Sequence, residues 1–176
     1  KDVLTEDQID EIKKLAESKY VPSEILSGKD ETTRKSEQAW VSYGEHNVTD
    51  KLIEKACQIF ETPISHAESV QVVRYNIGEF YRPHQDSCCD DNDHCTIFKS
   101  KSGERIGSLL GYLSDDFTDG GTVFPNTGVT IKPSVGTAIS WYTKGCPSDA
   151  LHGGQGVSHG TKIIANVWVR ERPFVG

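Results

Sequence analysis

The stretch VVRYNIGEFYRPHQD, residues 72–86, carries the strongest information about how this chain folds. It includes the end of a β-branched and aromatic run that is expected to form a strand, and it closes on His84 and Asp86 in a strand-like setting. Side chains two residues apart in an extended segment lie on the same face, so these two can bind one ion. A surface histidine beside a solvated aspartate is nevertheless the simpler explanation of His-x-Asp taken alone.

Short strand-like runs continue on both sides of this stretch. They are rich in β-branched and aromatic residues, are separated by Gly, Pro, Asp and Asn, and comprise Val70–Tyr75, Ile106–Leu113, Val129–Ile131, Thr137–Tyr142 and Ile163–Val169. Many short strands with turn signals between them are typical of a β-sandwich or jelly roll.

The first sixty residues have helical periodicity instead. Thr5 begins a capping-box pattern before a helix that reaches Tyr20, and Thr49 can cap a second helix. Residues 27–38 are polar and have no period, so we expect a loop there.

These patterns predict one α+β domain over residues 1–176. Residues 1–66 are expected to be mainly helical support packed on one face, and residues 67–176 are expected to form a double-stranded β-helix, or jelly-roll, core. No internal repeat or linker divides the chain.

Charge and hydropathy exclude some classes of partner. Nineteen basic and 26 acidic residues give a net charge of −7, which disfavours nucleic acid but leaves room for a local basic pocket that binds a small anion. No apolar run approaches about 20 residues, so no membrane segment is predicted. The chain begins at Lys1 and contains no methionine, and we expect it to be a processed piece. Its oligomeric state is left open.

A third ligand must come from elsewhere to complete a metal site with His84 and Asp86. His152, just after a predicted strand, is the best candidate, and His159 is its competitor. Two histidines and one carboxylate form the facial triad of non-haem Fe(II) oxygenases, which leaves coordination positions open. Lys162 opens a mostly apolar strand, where an ammonium needs an anion unless it lies at a solvated edge.

Several ordered motifs together resemble the catalytic domain of the prolyl 4-hydroxylases, which are Fe(II)- and 2-oxoglutarate-dependent dioxygenases. The resemblance covers nearly the whole chain. The motifs that carry it are residues 4–8, Arg34-Lys35-Ser36 with Ala39-Trp40, residues 72–86, Arg105-Ile106, Gly111–Asp115, Gly120–Pro125, and His152 to Lys162 with Asn166-Val167-Trp168.

The resemblance implies roles for four residues at the reaction centre. His84, Asp86 and His152 would hold the iron, and Lys162 would pair with the distal carboxylate of 2-oxoglutarate. Lysine at this last position is similar to the collagen-type and plant-type enzymes, whereas the oxygen-sensing and lysyl hydroxylases use arginine. The His159 position matches no ligand of the family pattern.

Further roles follow from the same resemblance. Tyr75 and Thr122 are similar to residues whose hydroxyls help to hold the distal carboxylate. Tyr81, Arg105 and Trp168 lie where the family lines its peptide groove. Ordinary core or strand packing would explain each of these residues outside that framework.

The implied activity is peptidyl-proline 4-hydroxylation of Pro-rich or collagen-like peptides, which consumes 2-oxoglutarate and O2 and gives 4-hydroxyproline, succinate and CO2, with ascorbate as reductant. One alternative is a 2-oxoglutarate dioxygenase that acts on another residue or a small molecule. Another is a catalytically silent module that binds Pro-rich peptides. A zinc hydrolase is the least supported, because no HExxH or similar motif occurs.

The chain has an odd number of cysteines, and three of the five follow the His-x-Asp motif closely. Cys88, Cys89, His94 and Cys95 are poorly spaced for common zinc modules, so a disulfide or an acidic flexible loop is favoured. Cys146 is a possible partner for this group, although sequence alone does not give the pairing. Such a bond suits the endoplasmic reticulum or secretory pathway, with the cytoplasm as an alternative.

Overall fold

The computed structural model describes residues 3–24, 30–132 and 134–176. Within these ranges the helices are α1 (Glu6–Glu17), α2 (Asn47–Ile59) and α3 (Asp93–Ser100), with 3-10 turns at Ile64–His66 and Ser148–Ala150. The strands are β1 (Val21–Pro22), β2 (Arg34–Lys35), β3 (Glu37–Val41), β4 (Val70–Tyr75), β5 (Phe80–His84), β6 (Arg105–Tyr112), β7 (Thr118–Asp119), β8 (Thr122–Phe124), β9 (Val129–Ile131), β10 (Ala138–Tyr142), β11 (His152–Gly154), β12 (Val157–His159) and β13 (Lys162–Arg170).

Eleven of these strands form two antiparallel sheets. The major sheet has the order β1-β3-β4-β13-β6-β10, and the minor sheet has the order β2-β5-β11-β8-β9. Consecutive strands alternate between sheets in much of the chain, so sequence-distant strands such as β4 and β13 lie side by side. The predicted α+β jelly roll is confirmed.

The two faces of the major sheet are covered by different layers. Side chains alternate across a strand, so Val72 and Leu109 face one side while their neighbours Val73 and Leu110 face the other. The first set packs with apolar residues of α1 and α2, including Ile12, Leu52 and Ile53. The second set faces the minor sheet. The predicted packing of the N-terminal helices on one face is therefore confirmed.

The N-terminal segment differs from its prediction in two respects. Helix α1 has the expected capping box on Thr5, but α2 begins at Asn47 with His46 as its cap, and Thr49 lies buried inside the helix. The loop expected over residues 27–38 is wrong from Arg34 onward, where β2 and β3 join the sheets. Pairing with existing strands stabilises these short segments despite their polar sequence, and residues 27–29 lie outside the described residues.

Two disulfides organise the segment that follows the His-x-Asp motif. Cys88 pairs with Cys95, and Cys89 pairs with Cys146, while Cys57 is a buried free thiol. The predicted disulfide is confirmed. The alternative of a flexible acidic loop is wrong for the residues of α3, whose first turn is capped by the side chain of Asn92.

No helix within the described ranges has the length and apolar character needed to cross a membrane.

Close packing between α2 and the sheet gives a stability prediction at Gly107. A Cβ atom at this position in β6 would overlap ring carbons of Phe60, which lies at the end of α2. We therefore expect Gly107→Ala to lower the free energy of unfolding by about 1–3 kcal/mol, measured by urea denaturation.

Gly111 provides the matched control on the same strand. A Cβ atom there would meet nothing closer than the backbone oxygen of Ala165, at 3.8 Å. Gly111→Ala should therefore be tolerated. Equal destabilisation by both substitutions would contradict the packing argument.

Candidate active site

A pocket of about 350 Å³ opens between the two sheets. All nine residues that the sequence singled out line it: Tyr75, Tyr81, His84, Asp86, Arg105, Thr122, His152, Lys162 and Trp168. The fold thus brings together side chains that are as much as 93 positions apart in the chain.

His84, Asp86 and His152 meet at one end of this pocket. His84 ends β5 and His152 opens β11, and the two residues are direct partners across these paired strands. Nε2 of His84 lies 3.6 Å from Oδ1 of Asp86, and Nε2 of His152 lies 3.6 Å from Oδ2. The candidate ligand atoms all lie within 4.8 Å of one another.

Backbone carbonyls set the orientation of both imidazoles. Nδ1 of His84 lies 2.9 Å from the Arg82 carbonyl oxygen, and Nδ1 of His152 lies 2.9 Å from that of Ala150. A carbonyl can only accept, so each Nδ1 carries the proton and each Nε2 keeps its lone pair for a metal. Burial also lowers the pKa of His152, which favours the neutral ring.

Asp86 is buried, yet it is held as a carboxylate. Burial alone would raise its pKa, but the positive charge of the nearby histidines in their protonated form and that of Arg105 outweigh this effect and hold the pKa well below the usual range. The Ser108 hydroxyl also donates to Oδ2 at 2.6 Å. The side chain is therefore a fixed negative group with one oxygen facing each histidine.

This donor set fits Fe(II). Two neutral imidazoles and one carboxylate on one side of a point are the facial triad of non-haem iron enzymes. Among the described residues, no other histidine, cysteine, aspartate or glutamate joins the group, so the pocket side stays open for other ligands. His159, the competing candidate, is exposed at the end of β12.

The cysteine-rich segment does not offer a second metal site. Cys88, His94 and Cys95 lie close together, but both thiols are consumed by the Cys88–Cys95 disulfide. A disulfide sulfur is not the thiolate that zinc binds.

Lys162 lines the same pocket, with only 2% of its surface exposed. Nζ donates to the Gly120 carbonyl oxygen at 2.6 Å, and burial lowers its pKa to about 8. In the part of the chain that the structure describes, no acidic side chain pairs with this ammonium. A buried cation with one neutral acceptor is poorly compensated, which suits a site for an anion.

Two residues that carry hydroxyl groups line the pocket together with Lys162. Tyr75 is the cross-strand partner of Lys162, and its ring centroid lies 5.3 Å from Nζ. Thr122 is buried nearby, and its Oγ1 accepts a hydrogen bond from Tyr112 at 2.9 Å. Such groups can complete the hydrogen bonding of a bound carboxylate.

Two consecutive glycines after His152 allow this close arrangement. A Cβ at Gly153 would lie 2.9 Å from backbone atoms of β5, so only glycine lets β11 pair this tightly beside the candidate metal ligands. A Cβ at Gly154 would come within 3.8 Å of Nζ of Lys162 and would fill part of the recess.

Arg105 and Trp168 form the pocket wall beside the triad. The Arg105 guanidinium lies 3.9 Å from the centroid of the Trp168 ring and is paired with both oxygens of Glu68, at 2.6 and 2.7 Å. It also donates to the backbone oxygen of Asp86 at 3.2 Å. Arg105 therefore links the segment that carries the candidate ligand Asp86 to a buried ion pair.

Sequence reasoning missed several residues of the site. Glu68 is buried between Arg105 and Arg170, and Tyr112 supports Thr122 from outside the pocket lining. A glutamate just before a strand gives no sequence signal of burial. Other lining residues without an assigned role are Glu24, Gln38, Trp40, Gln71 and Asn166.

The family model described as the 2OG-Fe(II) oxygenase superfamily matches residues 70–170. The chain belongs to this superfamily. The matched range includes all three candidate metal ligands, together with Lys162. Members of the superfamily use Fe(II), 2-oxoglutarate and O2, as its description implies.

Individual relatives place this oxygenase among the prolyl 4-hydroxylases. It is 40% identical, over 93% of its length, to a protein named as a candidate prolyl 4-hydroxylase in Acanthamoeba polyphaga mimivirus, and covers 69% of that protein. It is 32% identical, over 97% of its length, to Bos taurus prolyl 4-hydroxylase subunit alpha-1. The chain spans only 34% of that subunit.

Solved structures agree with this placement. The 2-oxoglutarate complex of the viral collagen prolyl hydroxylase from Paramecium Bursaria Chlorella virus-1 has a TM-score of 0.73 and 31% identity, covering 96% of this oxygenase and 92% of that chain. A Pseudomonas putida prolyl-4-hydroxylase, 19% identical with a TM-score of 0.69, shares the fold and covers 97% and 89% of the respective chains.

The burial of Lys162 generates a pH-dependent stability prediction. Without 2-oxoglutarate, Lys162→Met should raise the free energy of unfolding at pH 7 by up to about 3 kcal/mol, because it removes a poorly compensated buried charge. The wild-type lysine has a lower pKa folded than unfolded, so wild-type stability rises with pH between about 8 and 10.5. The advantage of the variant should shrink across that range.

Urea unfolding at pH 7 and at about pH 10 tests this prediction. Lys132→Met, at an exposed lysine, is the control and should change stability little at either pH. Two results would contradict the account. One is a Lys162→Met protein that is no more stable than the wild type at pH 7, and the other is an advantage over the wild type that grows with rising pH.

Proposed function

We propose that this chain is a peptidyl-proline 4-hydroxylase. It oxidises 2-oxoglutarate to succinate and CO2, and it couples this oxidation to the hydroxylation of C4 of proline. The observation that carries the proposal is the placement of two separate groups in one pocket. His84, Asp86 and His152 form an open-sided ligand set, and the buried Lys162 ammonium lines the same space, where no acidic side chain among the described residues pairs with it. The kinship with prolyl 4-hydroxylases supports the choice of proline.

The triad would hold the iron, and the chemistry supplied by bound Fe(II) is activation of O2 at the expense of 2-oxoglutarate. Lys162 would bind the distal carboxylate of this cosubstrate, with the hydroxyls of Tyr75 and Thr122 completing its hydrogen bonds. Two anchor points fix the orientation of a short dicarboxylate. The buried side chains of Leu110 and Ile164 also line the pocket and limit its contact with water.

The part of the pocket that is lined by aromatic side chains suits an extended proline-containing peptide. Tyr81 stacks on His84, and Arg34 lies 4.7 Å from the Tyr81 ring centroid. Trp168 and Trp40 lie with their ring centroids 6.2 Å apart. Flat aromatic walls are the surfaces that grip polyproline II segments, which lose little entropy on binding. We therefore assign Tyr81, Arg105 and Trp168 to the peptide side of the site.

A peptide panel tests the activity and its substrate class. Poly-Pro, Ser-Pro repeats and Pro-Pro-Gly repeats are incubated with Fe(II), 2-oxoglutarate, O2 and ascorbate, and proline oxidation is read by mass spectrometry. We expect a gain of one oxygen atom on proline, matched by succinate formation. Succinate formation that peptides do not stimulate would favour a small-molecule substrate. Peptide binding with neither product would favour a catalytically silent binding module.

Two variants separate the proposed roles in this assay. Lys162→Met should raise the KM for 2-oxoglutarate by about 30-fold or more, because it removes one partner of a buried charge pair, and should leave metal affinity unchanged. Asp86→Asn should weaken metal binding and lower kcat/KM by more than about 100-fold. Loss of metal binding in Lys162→Met, or full activity in Asp86→Asn, would contradict these assignments.

A further inference from the structure

The three proposed metal ligands come from two segments that are distant in sequence. His84 and Asp86 lie in residues 84–89, here called the aspartate segment. His152 follows residues 143–151, here called the preceding loop. Pairing of β5 with β11 joins the segments only at His84 and His152. Beyond that point Asp86 and the loop both leave the sheet, so other contacts must fix their separation.

Hydrogen bonds supply part of this connection. Nε2 of Gln85, between the two ligands of the aspartate segment, donates to the Pro147 carbonyl oxygen at 3.0 Å. The hydroxyls of Ser87 and Thr143 both donate to the carbonyl oxygen of Arg105, at 2.6 and 2.8 Å. The two segments are therefore tied directly and through one shared acceptor.

The Cys89–Cys146 disulfide adds a covalent connection between the same two segments. Cys89 lies three residues after Asp86, Cys146 lies six residues before His152, and the bond spans 57 positions. Cys146 has a φ of 53°, a left-handed conformation that a non-glycine residue adopts only when its surroundings hold it. The disulfide and the hydrogen bond from the Cys146 amide to the Thr143 carbonyl, at 3.1 Å, hold it here.

The loop reaches the metal site through a short path. It continues from Cys146 into the 3-10 turn Ser148–Ala150, whose last carbonyl accepts from Nδ1 of His152. That bond sets the tautomer and the direction of the imidazole. A displacement of the loop would therefore change the orientation of His152 as well as its separation from Asp86.

We propose that the Cys89–Cys146 disulfide is a positioning element of the metal centre, and that its reduction weakens metal binding. The inference rests on the metal site proposed above. A dithiol reductant converts the bond to two thiols and is itself oxidised to a disulfide, so two electrons and two protons are transferred. The opened chain keeps its sheets, but the ligand set loses its preorganisation, which metal binding must then restore.

The neighbouring Cys88–Cys95 disulfide offers a matched control. It closes only seven positions, begins two residues after Asp86, and ends in α3 rather than in the loop before His152. It lies directly beside the first bond in the chain, but both of its cysteines are buried, whereas Cys89 is exposed. It does not connect the two groups of ligands.

Mn(II), used in place of Fe(II) because it is stable in air, provides a readout that is independent of turnover. Its affinity is measured from the electron paramagnetic resonance signal of the free ion. We expect Cys89→Ser/Cys146→Ser to weaken Mn(II) binding about tenfold or more, the range found when groups that orient ligands are removed. Cys88→Ser/Cys95→Ser should change it by less than about threefold, because the ligand-to-ligand connection persists.

Reduction of the control variant isolates the bond without a new substitution. Cys88→Ser/Cys95→Ser retains Cys89–Cys146 as the only disulfide that the structure records, so a dithiol opens a single bond in the folded protein. The thiols that form are counted by mass spectrometry, and folding is followed by circular dichroism. The tenfold loss should appear on reduction and reverse on reoxidation. This measurement decides the matter if the other double variant fails to fold.

The outcomes distinguish failure of the inference about the disulfide from failure of the proposed metal site. Unchanged Mn(II) affinity after reduction of Cys89–Cys146, or an equal loss in both double variants, would overturn this inference alone. Absence of Mn(II) binding in the oxidised wild-type protein would overturn the proposed metal site and the inference with it.

Discussion

The buried carboxylate of Asp86 is the constraint around which the pocket is arranged. A charge removed from water must be compensated locally, here by a hydroxyl, by a guanidinium and by the metal that the two neighbouring imidazoles would hold beside it. β5 and β11 bring an imidazole to each oxygen, and β6 supplies the Ser108 hydroxyl. Arg105 then anchors the backbone of Asp86 to Glu68. The jelly roll thus places donors from sequence-distant strands around one negative group.

Lys162 is a second buried charge in the same pocket, and its sign is opposite to that of Asp86. Its ammonium is buried at the start of β13, beside Tyr75 and the Gly120 carbonyl, and lacks a described acidic partner. The two buried charges belong to the same cavity but do not neutralise each other. Such an arrangement is unfavourable for stability alone, and is explained by a ligand that carries positive charge to one end and negative charge to the other. A metal with a chelated dicarboxylate satisfies both conditions.

Local patterns and ordered motifs made much of this structure predictable. The β-branched and aromatic runs identified β4, β9 and β13, and the capping box identified α1, because each signal lies within a few consecutive residues. His84 and Asp86 were singled out by their spacing and His152 and Lys162 by their position next to predicted strands, and the family resemblance implied the role of each.

The remainder depends on long-range contacts that leave no local signal. Glu68 is buried only because Arg105 and Arg170 reach it from other strands. The partner of Cys89 depends on which loop the fold brings beside it. Strands β2 and β3 form in a polar segment because neighbouring strands supply the hydrogen bonds.

A crystal structure of the protein with Mn(II) and 2-oxoglutarate would test the central claim most directly. The account predicts one metal bonded to Nε2 of His84, a carboxylate oxygen of Asp86 and Nε2 of His152. The distal carboxylate of 2-oxoglutarate should lie within hydrogen-bond distance of Nζ of Lys162. A metal bound elsewhere, or a dicarboxylate that leaves Lys162 bonded only to the Gly120 carbonyl, would contradict it.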